Sequence, residues 1–314
     1  MSNARIQQMI SLSLALTAVG WLVWCWGTGR SGWTPWALMA LAPHAPVLAL
    51  ETAWAAAAAR REGARRAMGQ ADAPPVAYPG LHIWMGAWLQ EVVASVRTFG
   101  WQQPWQHARH PDHLPPQAAG RQGVLLVHGF VCNRGFWNRW MPELRAAGIP
   151  HVAVSLGPPF RDIALQAQGI EQAWQGLMQA TGRPPLLVGH SMGGLMIRSW
   201  LGSKPREIAQ AHEVITIGTP HHGTALAQMA RSEPALQMQL LSDFLRSLAE
   251  REDAALRARW TCYWSVCDNI VFPANTATLP GARNLCIPGR PHVALAQAPE
   301  ILQDVMARCA PGRT

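Results

Sequence analysis

The sequence Leu186-Leu187-Val188-Gly189-His190-Ser191-Met192-Gly193-Gly194 places a serine between two apolar segments, with glycines on both sides. The apolar run before it, which follows two prolines, is typical of a buried parallel strand, and residues 193–201 predict a helix. The chain must turn sharply between them. A Cβ two residues before or after Ser191 would then collide with its neighbours, which explains Gly189 and Gly193. This arrangement is a nucleophile elbow, in which the serine hydroxyl stands clear of the sheet.

A second apolar run, residues 123–127, ends in the sequence His128-Gly129-Phe130. In chains with such an elbow, the loop after this strand supplies one backbone N–H to an oxyanion hole, and the residue after the serine supplies the other. The expected donors are Phe130 and Met192. Gly129 would let the backbone bend close to the reacting carbonyl, where negative charge develops. An ordinary turn at the end of a strand fits the pair His128-Gly129 equally well.

A serine hydroxyl needs a base to remove its proton and an acid to orient that base. The order along such chains is serine, acid, histidine. Among the histidines after Ser191, His292 is the one that lies near the C-terminus and follows a suitable acid. That acid is Asp268, which follows the aromatic and apolar run 260–267 and begins a loop. Seven other acids between Ser191 and His292 have surroundings typical of solvated faces: Glu207, Glu213, Glu233, Asp243, Glu250, Glu252 and Asp253.

Five stretches between residues 119 and 314 resemble the α/β-hydrolases, in particular bacterial lipases and esterases. In order, they are VHGF (127–130), GHSMGG (189–194), TIGTPHHGT (216–224), DNIV (268–271) and GRPH (289–292). The resemblance implies an α/β-hydrolase fold without the first two strands of the full family sheet. It also implies hydrolysis of a carboxylic ester through an acyl-serine intermediate, a triad of Ser191, Asp268 and His292, and no metal or other cofactor.

Strands and helices alternate between these motifs, which predicts a mostly parallel sheet of about six strands with helices on both faces. We expect strands at 124–127, 151–155, 186–188, 214–217, 261–266 and 284–287, and helices at 138–147, 163–180, 193–201 and 293–308. Residues 224–259 form an insertion whose apolar residues have helical spacing. It is either a lid that moves over the site or, as we expect, a cap that packs permanently on the core.

Residues 1–60 predict a membrane anchor. Residues 9–26 are apolar and long enough to cross a bilayer, and residues 31–50 again lack Asp, Glu, Lys and Arg. Three prolines and the following Glu51 weaken the second segment as a span. We expect a transmembrane helical hairpin, with a single span or a cleaved signal peptide as the alternatives.

The arginines near these segments indicate an orientation. Four arginines follow the second segment: Arg60, Arg61, Arg65 and Arg66. In contrast, Arg30 alone lies between the two segments, and Arg5 alone precedes the first. The positive-inside rule then places both ends of the hairpin, and the C-terminal domain, on the cytoplasmic side of a bacterial inner membrane. A single span would place that domain on the outside.

Residues 61–118 predict a linker between the anchor and the domain at 119–314. Within it, residues 81–99 carry an apolar stripe at helical spacing. This amphipathic helix fits either the membrane interface or packing on the domain. Residues 101–122 contain four prolines and predict an extended connection. Its His110, Asp112 and His113 lack the fixed geometry of a metal site.

The chain has 314 residues and a net charge of +8, but its 26 basic residues, all but one arginine, are spread along its length. No nucleic-acid module accompanies them, so we exclude nucleic acid as a partner. The arginines at 60–66 suit anionic lipid headgroups instead. The sequence carries no signal for an oligomeric state.

These features predict a membrane-anchored serine hydrolase that acts on lipophilic carboxylic esters, with membrane lipids as further partners. Two alternatives are an acyltransferase that uses the same acyl-enzyme and a catalytically silent interaction module. The candidates for lining the substrate pocket are Asn133, His221 and His222, with Arg134 and Trp137 beside them.

Overall fold

The computed structural model describes residues 2–29, 44–67 and 78–310. At its centre is a sheet of six strands: β1 (Val124–Val127), β2 (His151–Ala153), β3 (Leu186–His190), β4 (Val214–Ile217), β5 (Trp260–Trp264) and β6 (Arg283–Cys286). The order across the sheet is β2-β1-β3-β4-β5-β6, and all neighbouring strands are parallel. The predicted six-stranded parallel sheet is therefore confirmed.

Both faces of the sheet are covered. Along β1, Leu125 and Val127 belong to one buried core, whereas Val124 and Leu126 belong to another. Successive strand residues point to opposite faces, so the two cores lie on the two sides of the sheet. This double burial explains why the strands read as continuous apolar runs rather than as an alternating pattern.

The helices are α1 (Asn3–Gly27), α2 (His44–Ala67), α3 (Leu81–Ser95), α4 (Gln103–Trp105), α5 (Trp140–Ala146), α6 (Ile163–Ala167), α7 (Ile170–Thr181), α8 (Met192–Leu201), α9 (Arg206–Gln210), α10 (Glu233–Gln237), α11 (Asp243–Glu250), α12 (Ala254–Arg257), α13 (His292–Leu295) and α14 (Pro299–Arg308). A π-helix (Val96–Gln102) joins α3 to α4, and 3₁₀ turns occur at Arg134–Trp137, Ala225–Met229 and Ala274–Ala277.

Two helices that the sequence predicts as continuous are divided. The helix expected at 163–180 is α6 and α7, with a break at Gly169, where a Cβ would lie 2.6 Å from Leu156 Cδ2. The helix expected at 293–308 is α13 and α14. Pro299 begins α14, because a proline ring removes the N–H donor that a continuous helix would need there.

Within the described residues, α1 is the one helix long and apolar enough to cross a membrane. The second predicted span falls largely on residues 30–43, which lie outside the described residues. Its last part begins α2, which continues through Glu51 and Arg60 to Ala67 and packs against α3. The described residues thus contain one candidate span, and the second crossing of the predicted hairpin stays a prediction. Helix α2 also extends into the start of the expected linker.

Helix α3 has two apolar faces. Trp84, Ala87 and Ala94 are buried, the first two in a core that also contains Trp264 and Phe272. The opposite face is exposed and repeats every fourth residue, at Leu81, Met85, Leu89 and Val93. The helix predicted at 81–99 therefore packs on the sheet domain and keeps an outward apolar stripe. The π-helix and α4 follow α3, so residues 101–105, at the start of the expected extended connection, are helical.

Candidate active site

Ser191 occupies the turn between β3 and α8. Its backbone has φ 54° and ψ −128°, a strained conformation for a residue with a Cβ. The turn is held by the end of β4 and the loop after it. The Ser191 N–H donates to Ile217 O at 2.9 Å, and the Thr219 hydroxyl donates to Ser191 O at 2.9 Å. The side chain is thereby presented at the carboxyl end of the sheet.

The glycines around this turn allow close backbone approach. A Cβ on Gly189 would lie 2.7 Å from a backbone nitrogen of α8, and one on Gly193 would lie 2.4 Å from Val127 O. A Cβ on Gly129 would lie 3.0 Å from Ser191 Cβ. Any larger residue at Gly189 or Gly193 would push α8 or β1 away, which is the collision that the spacing of the motif predicts.

Asp268 and His292 form a buried pair. His292 Nδ1 lies 2.9 and 3.0 Å from the two carboxylate oxygens of Asp268. Oδ1 of Asp268 also accepts hydrogen bonds from the N–H groups of Ile270 (2.9 Å) and Val271 (2.8 Å), which fix the carboxylate in place. With Nδ1 donating to Asp268, Nε2 of His292 is the ring nitrogen left free to act as a base.

Ser191 and His292 line one cavity of about 470 Å³. The structure therefore brings the three predicted catalytic side chains to one place: Ser191 and His292 at the cavity wall, and Asp268 behind His292. The volume lies within the range of about 300–1,000 Å³ that is typical of small-molecule sites.

Of the two expected oxyanion-hole residues, Phe130 lines the cavity, beside Gly129 and Ser191, whereas Met192 is buried next to Ser191 in the chain and does not line it. Met192 is the first residue of α8, where backbone N–H groups have no partner within the helix. A ligand oxygen bound beside the Ser191 side chain would therefore lie between the N-terminal end of α8 and the loop after β1.

The residues that the sequence suggested for the pocket do not line this cavity. Asn133 caps the turn at Arg134–Trp137 by accepting from Gly135 N–H at 2.9 Å. His221 Nε2 lies 2.9 Å from the Thr216 hydroxyl, deep in the domain. The remaining suggestions are also elsewhere: half-buried His222, Arg134 in an ion pair with Asp112, and core residue Trp137.

The N-terminal helices line the cavity in their place. Leu14 comes from α1, Val47, Leu48 and Glu51 from α2, Glu91 and Ser95 from α3, and Phe99 from the π-helix. The sequence predicted helices in this region from their apolar spacing. It held no signal that they cover the nucleophile, because their contacts join residues far apart in the chain.

Glu91 is the most unusual of these residues. It is 1 % exposed, and its carboxylate accepts from the N–H groups of Val293 (2.9 Å) and Ala294 (3.2 Å), directly after His292. Burial raises the pKa of Glu91 to about 7, although these hydrogen bonds oppose the shift. A buried carboxyl group of this kind, which accepts hydrogen bonds from the helix that carries the proposed base, is typical of functional sites.

The carboxylates around His292 set its charge. Burial works to lower the pKa of His292, but the charge and hydrogen bond of Asp268, with the charges of Glu91 and Glu51, outweigh it and raise the pKa. The neighbouring His190 ring, 4.6 Å away between centroids, has a pKa well below its usual value, mainly because it is buried. Of this pair, His292 is therefore the histidine whose protonated form the surroundings favour.

Gly218 is another site residue that the sequence left out. It has φ +55°, and a Cβ there would lie 3.0 Å from Asp268 Oδ2 and 3.2 Å from His292 Nδ1. A side chain at this position would press into the Asp268–His292 pair. The signal was present in TIGTP, where a glycine follows the apolar residues of β4.

Solved structures with a similar fold include the mature form of a Bacillus licheniformis lipase, 20% identical, with a TM-score of 0.51 over 63% of this chain and 94% of that one. Its propeptide form is 20% identical with a TM-score of 0.52, over 65% and 54% of the two chains. A metagenomic carboxyl esterase is 17% identical with a TM-score of 0.48, over 78% and 93%. At these identities the first two similarities show the fold alone.

A comparison with curated protein sequences finds no match. The family model described as the alpha/beta hydrolase family matches residues 124–307, more than half of the chain. That range includes every strand of the sheet, Ser191, Asp268 and His292. This chain therefore belongs to the alpha/beta hydrolase family.

Proposed function

We propose that the protein is a membrane-anchored serine hydrolase that cleaves lipophilic carboxylic esters through an acyl-serine intermediate. The observation that carries this proposal is the convergence of the strained Ser191, the Asp268–His292 pair and a largely apolar cavity. A strained serine at a strand-to-helix turn is costly unless its position is used.

The proposed reaction has two halves. His292 Nε2 takes the proton of the Ser191 hydroxyl as its oxygen attacks the ester carbonyl carbon, and the N–H groups of Phe130 and Met192 bind the resulting oxyanion. The alcohol leaves with the proton from His292, which forms the acyl-serine. Water, deprotonated by His292, then attacks the acyl carbon, and the acid is released as Ser191 regains its proton. Asp268 remains ionised and stabilises the imidazolium.

The features of α1 support membrane anchoring. Its outward apolar side chains are exposed, with Leu16 at 71 % and Trp26 at 88 %. Its first residues instead hydrogen-bond the sheet domain: Gln7 Nε2 donates to Val131 O at 2.8 Å, and Asn3 Nδ2 donates to Leu156 O at 3.2 Å. These bonds favour an anchor that stays with the enzyme over a signal peptide that is removed.

The test uses the full chain in detergent and a fluorophosphonate probe, which reacts with activated serines. The wild-type protein and Ser203→Ala, altered at an exposed serine after α8, should be labelled and should hydrolyse a p-nitrophenyl ester. Ser191→Ala should do neither. Equal labelling of Ser191→Ala would move the nucleophile elsewhere, and no labelling of the wild type would refute the proposed function.

The same acyl-enzyme would serve an acyltransferase. Adding a lipophilic alcohol to the wild-type reaction separates the two activities. Release of free acid throughout supports hydrolysis, whereas transfer of most acyl groups to the alcohol would assign the chain to acyl transfer.

A further inference from the structure

The cavity combines catalytic and apolar lining residues. Gly129, Ser191 and His292 belong to the proposed catalytic site, and most of the other lining side chains are apolar. Four of these come from helices that precede the sheet domain: Leu14 from α1, Val47 and Leu48 from α2, and Phe99 from the π-helix. Ile270, two residues after Asp268, and Leu226 from the cap line it as well.

Helix α1 contributes Leu14 to the wall of this cavity. Its inner face is buried or half-buried at every third or fourth residue, namely Asn3, Gln7, Ser11, Leu14 and Ala18. Leu12 and Leu16, on either side of Leu14, are exposed. Leu14 thus faces the cavity from a helix whose outer surface is apolar, as expected for contact with lipid.

The edge of the cavity is also apolar. Val47 lines the cavity and is nevertheless 56 % exposed, so it lies where the cavity opens. Its neighbours on the outer surface of α2, Leu50 and Trp54, are exposed apolar side chains as well. An apolar rim next to a candidate membrane helix is typical of a surface that meets lipid rather than water.

We propose that the N-terminal helices form the acyl-binding wall of the active site, and that the substrate is a bilayer-resident lipid ester whose acyl chain enters past Val47 and lies against Leu14 and Leu48. This inference rests on the proposed function and names its substrate class. The region that anchors the enzyme then also selects its substrate.

Two substitutions at Leu14 test the wall in opposite directions. Leu14→Trp fills cavity space beside the apolar lining. The ratio of kcat/KM for p-nitrophenyl palmitate to kcat/KM for p-nitrophenyl butyrate should therefore fall at least about tenfold, which is the discrimination that one methylene group without room can produce. Leu14→Ala enlarges the cavity and should raise the ratio for the longest chains. Leu16→Trp, a matched change on the exposed face, should keep the wild-type ratio.

The outcome separates this inference from the proposed function. If the fluorophosphonate probe labels both Leu14 variants to completion but their chain-length ratios equal that of the wild type, the acyl wall lies elsewhere and the hydrolase assignment stands. If the wild type itself is not labelled, the proposed function fails first. Labelling also shows that a variant with altered selectivity has folded.

Substitution of Val47 tests the route of entry. Val47→Arg places a charge at the apolar rim, so hydrolysis of dioleoylglycerol in phosphatidylcholine vesicles should fall at least about tenfold more than hydrolysis of p-nitrophenyl butyrate in solution. Ala57→Arg, which adds the same charge at an exposed position of α2 outside the cavity lining, should affect both substrates alike. Equal losses on both substrates in Val47→Arg would show that the ester enters from water.

Discussion

Asp268 is the residue on which the proposed base depends. Its carboxylate accepts from His292 and from two backbone N–H groups, so Asp268→Asn can keep the backbone bonds through its remaining oxygen. The new amide then faces Nδ1 and favours the wrong tautomer of the ring. We expect kcat to fall on the order of 10⁴-fold with little change in folding. Ester hydrolysis and thermal unfolding of the purified variant measure the two effects.

The matched control for this change is Asp243→Asn, because the Asp243 side chain is 95 % exposed. It should retain wild-type turnover. If Asp268→Asn also retained most of its activity, another acid would have to orient His292. Glu51 and Glu91, the other carboxylates near that ring, would then be the candidates.

Glu91 leads to a prediction about pH. The groups that face His292 are Asp268, Glu51 from α2, Glu91 from α3, and His190 from β3. The negative charge of Glu91 favours the imidazolium, so Glu91→Gln should lower the pKa of His292. The acidic limb of kcat/KM, which reports this ionisation in the free enzyme, should move to lower pH by up to about one unit.

The Gln side chain at this position keeps an oxygen for the N–H of Val293, so the change tests charge rather than the backbone contact. Glu300→Gln, an exposed change on α14, should leave the limb in place. If the acidic limb of kcat/KM were unchanged in Glu91→Gln, the role of Glu91 would be limited to its hydrogen bonds to the backbone of α13. A shift to higher pH would contradict the sign of the interaction.

Single residues differ in how far sequence can predict them. Ser191, Asp268 and His292 were identified because each follows an apolar strand pattern in a fixed order, and that local pattern decides where the side chain emerges. Glu91 lies about 200 positions before His292 in a region outside the family match. Its role depends on how α3 packs, which no local spacing encodes.

At the scale of elements, the insertion at 224–259 is joined firmly to the helix behind the nucleophile. Glu252 binds Arg198 of α8 through both oxygens, at 2.6 and 2.9 Å, and Arg198 also donates to His221 O at 3.0 Å. Both side chains of the ion pair are buried, so the sequence-based placement of Glu252 on a solvated face is wrong. Leu245 and Leu248 of α11 add to the buried core.

Glu252→Ala would leave Arg198 as a buried charge without its carboxylate. We expect a loss of about 3–5 kcal/mol in the free energy of unfolding, measured by chemical denaturation in detergent. Glu250→Ala, at the exposed end of α11, should change it by less than about 0.5 kcal/mol. Equal stability of the two variants would mean that the cap is not fixed through this pair, which would favour the lid interpretation.

The elements also show which sequence signals are sufficient. Strands β1 to β5 are buried along their whole length, and double burial favours apolar runs that the sequence itself shows. The edge strand β6, with the sequence RNLC, is partly exposed and lacks such a run. The break before α14 was visible as Pro299. The break at Gly169 was not, since glycine is tolerated inside helices and the close approach of Leu156 from another part of the chain is not encoded in local spacing.

For the whole molecule, the placement of α1 predicts a topology. Asn3 and Gln7, at its first turns, hydrogen-bond the sheet domain, whereas Trp26 near its other end is exposed. Val47 and Leu14 line the same cavity, so the chain contacts the domain again when it reaches Val47. If α1 crosses a bilayer, the N-terminus and the catalytic domain must then lie on one side and the residues after Gly27 towards the other.

Epitope tags at the N-terminus, after Gly29 and at the C-terminus measure this arrangement in right-side-out and inverted membrane vesicles. Protease should remove both terminal tags from the same face and the tag after Gly29 from the opposite face. Because Arg60 and Arg61 follow on the domain side, we expect from the positive-inside rule that the terminal tags are on the cytoplasmic face. Terminal tags on opposite faces would show that α1 crosses without returning, and would remove it from the wall of the active site.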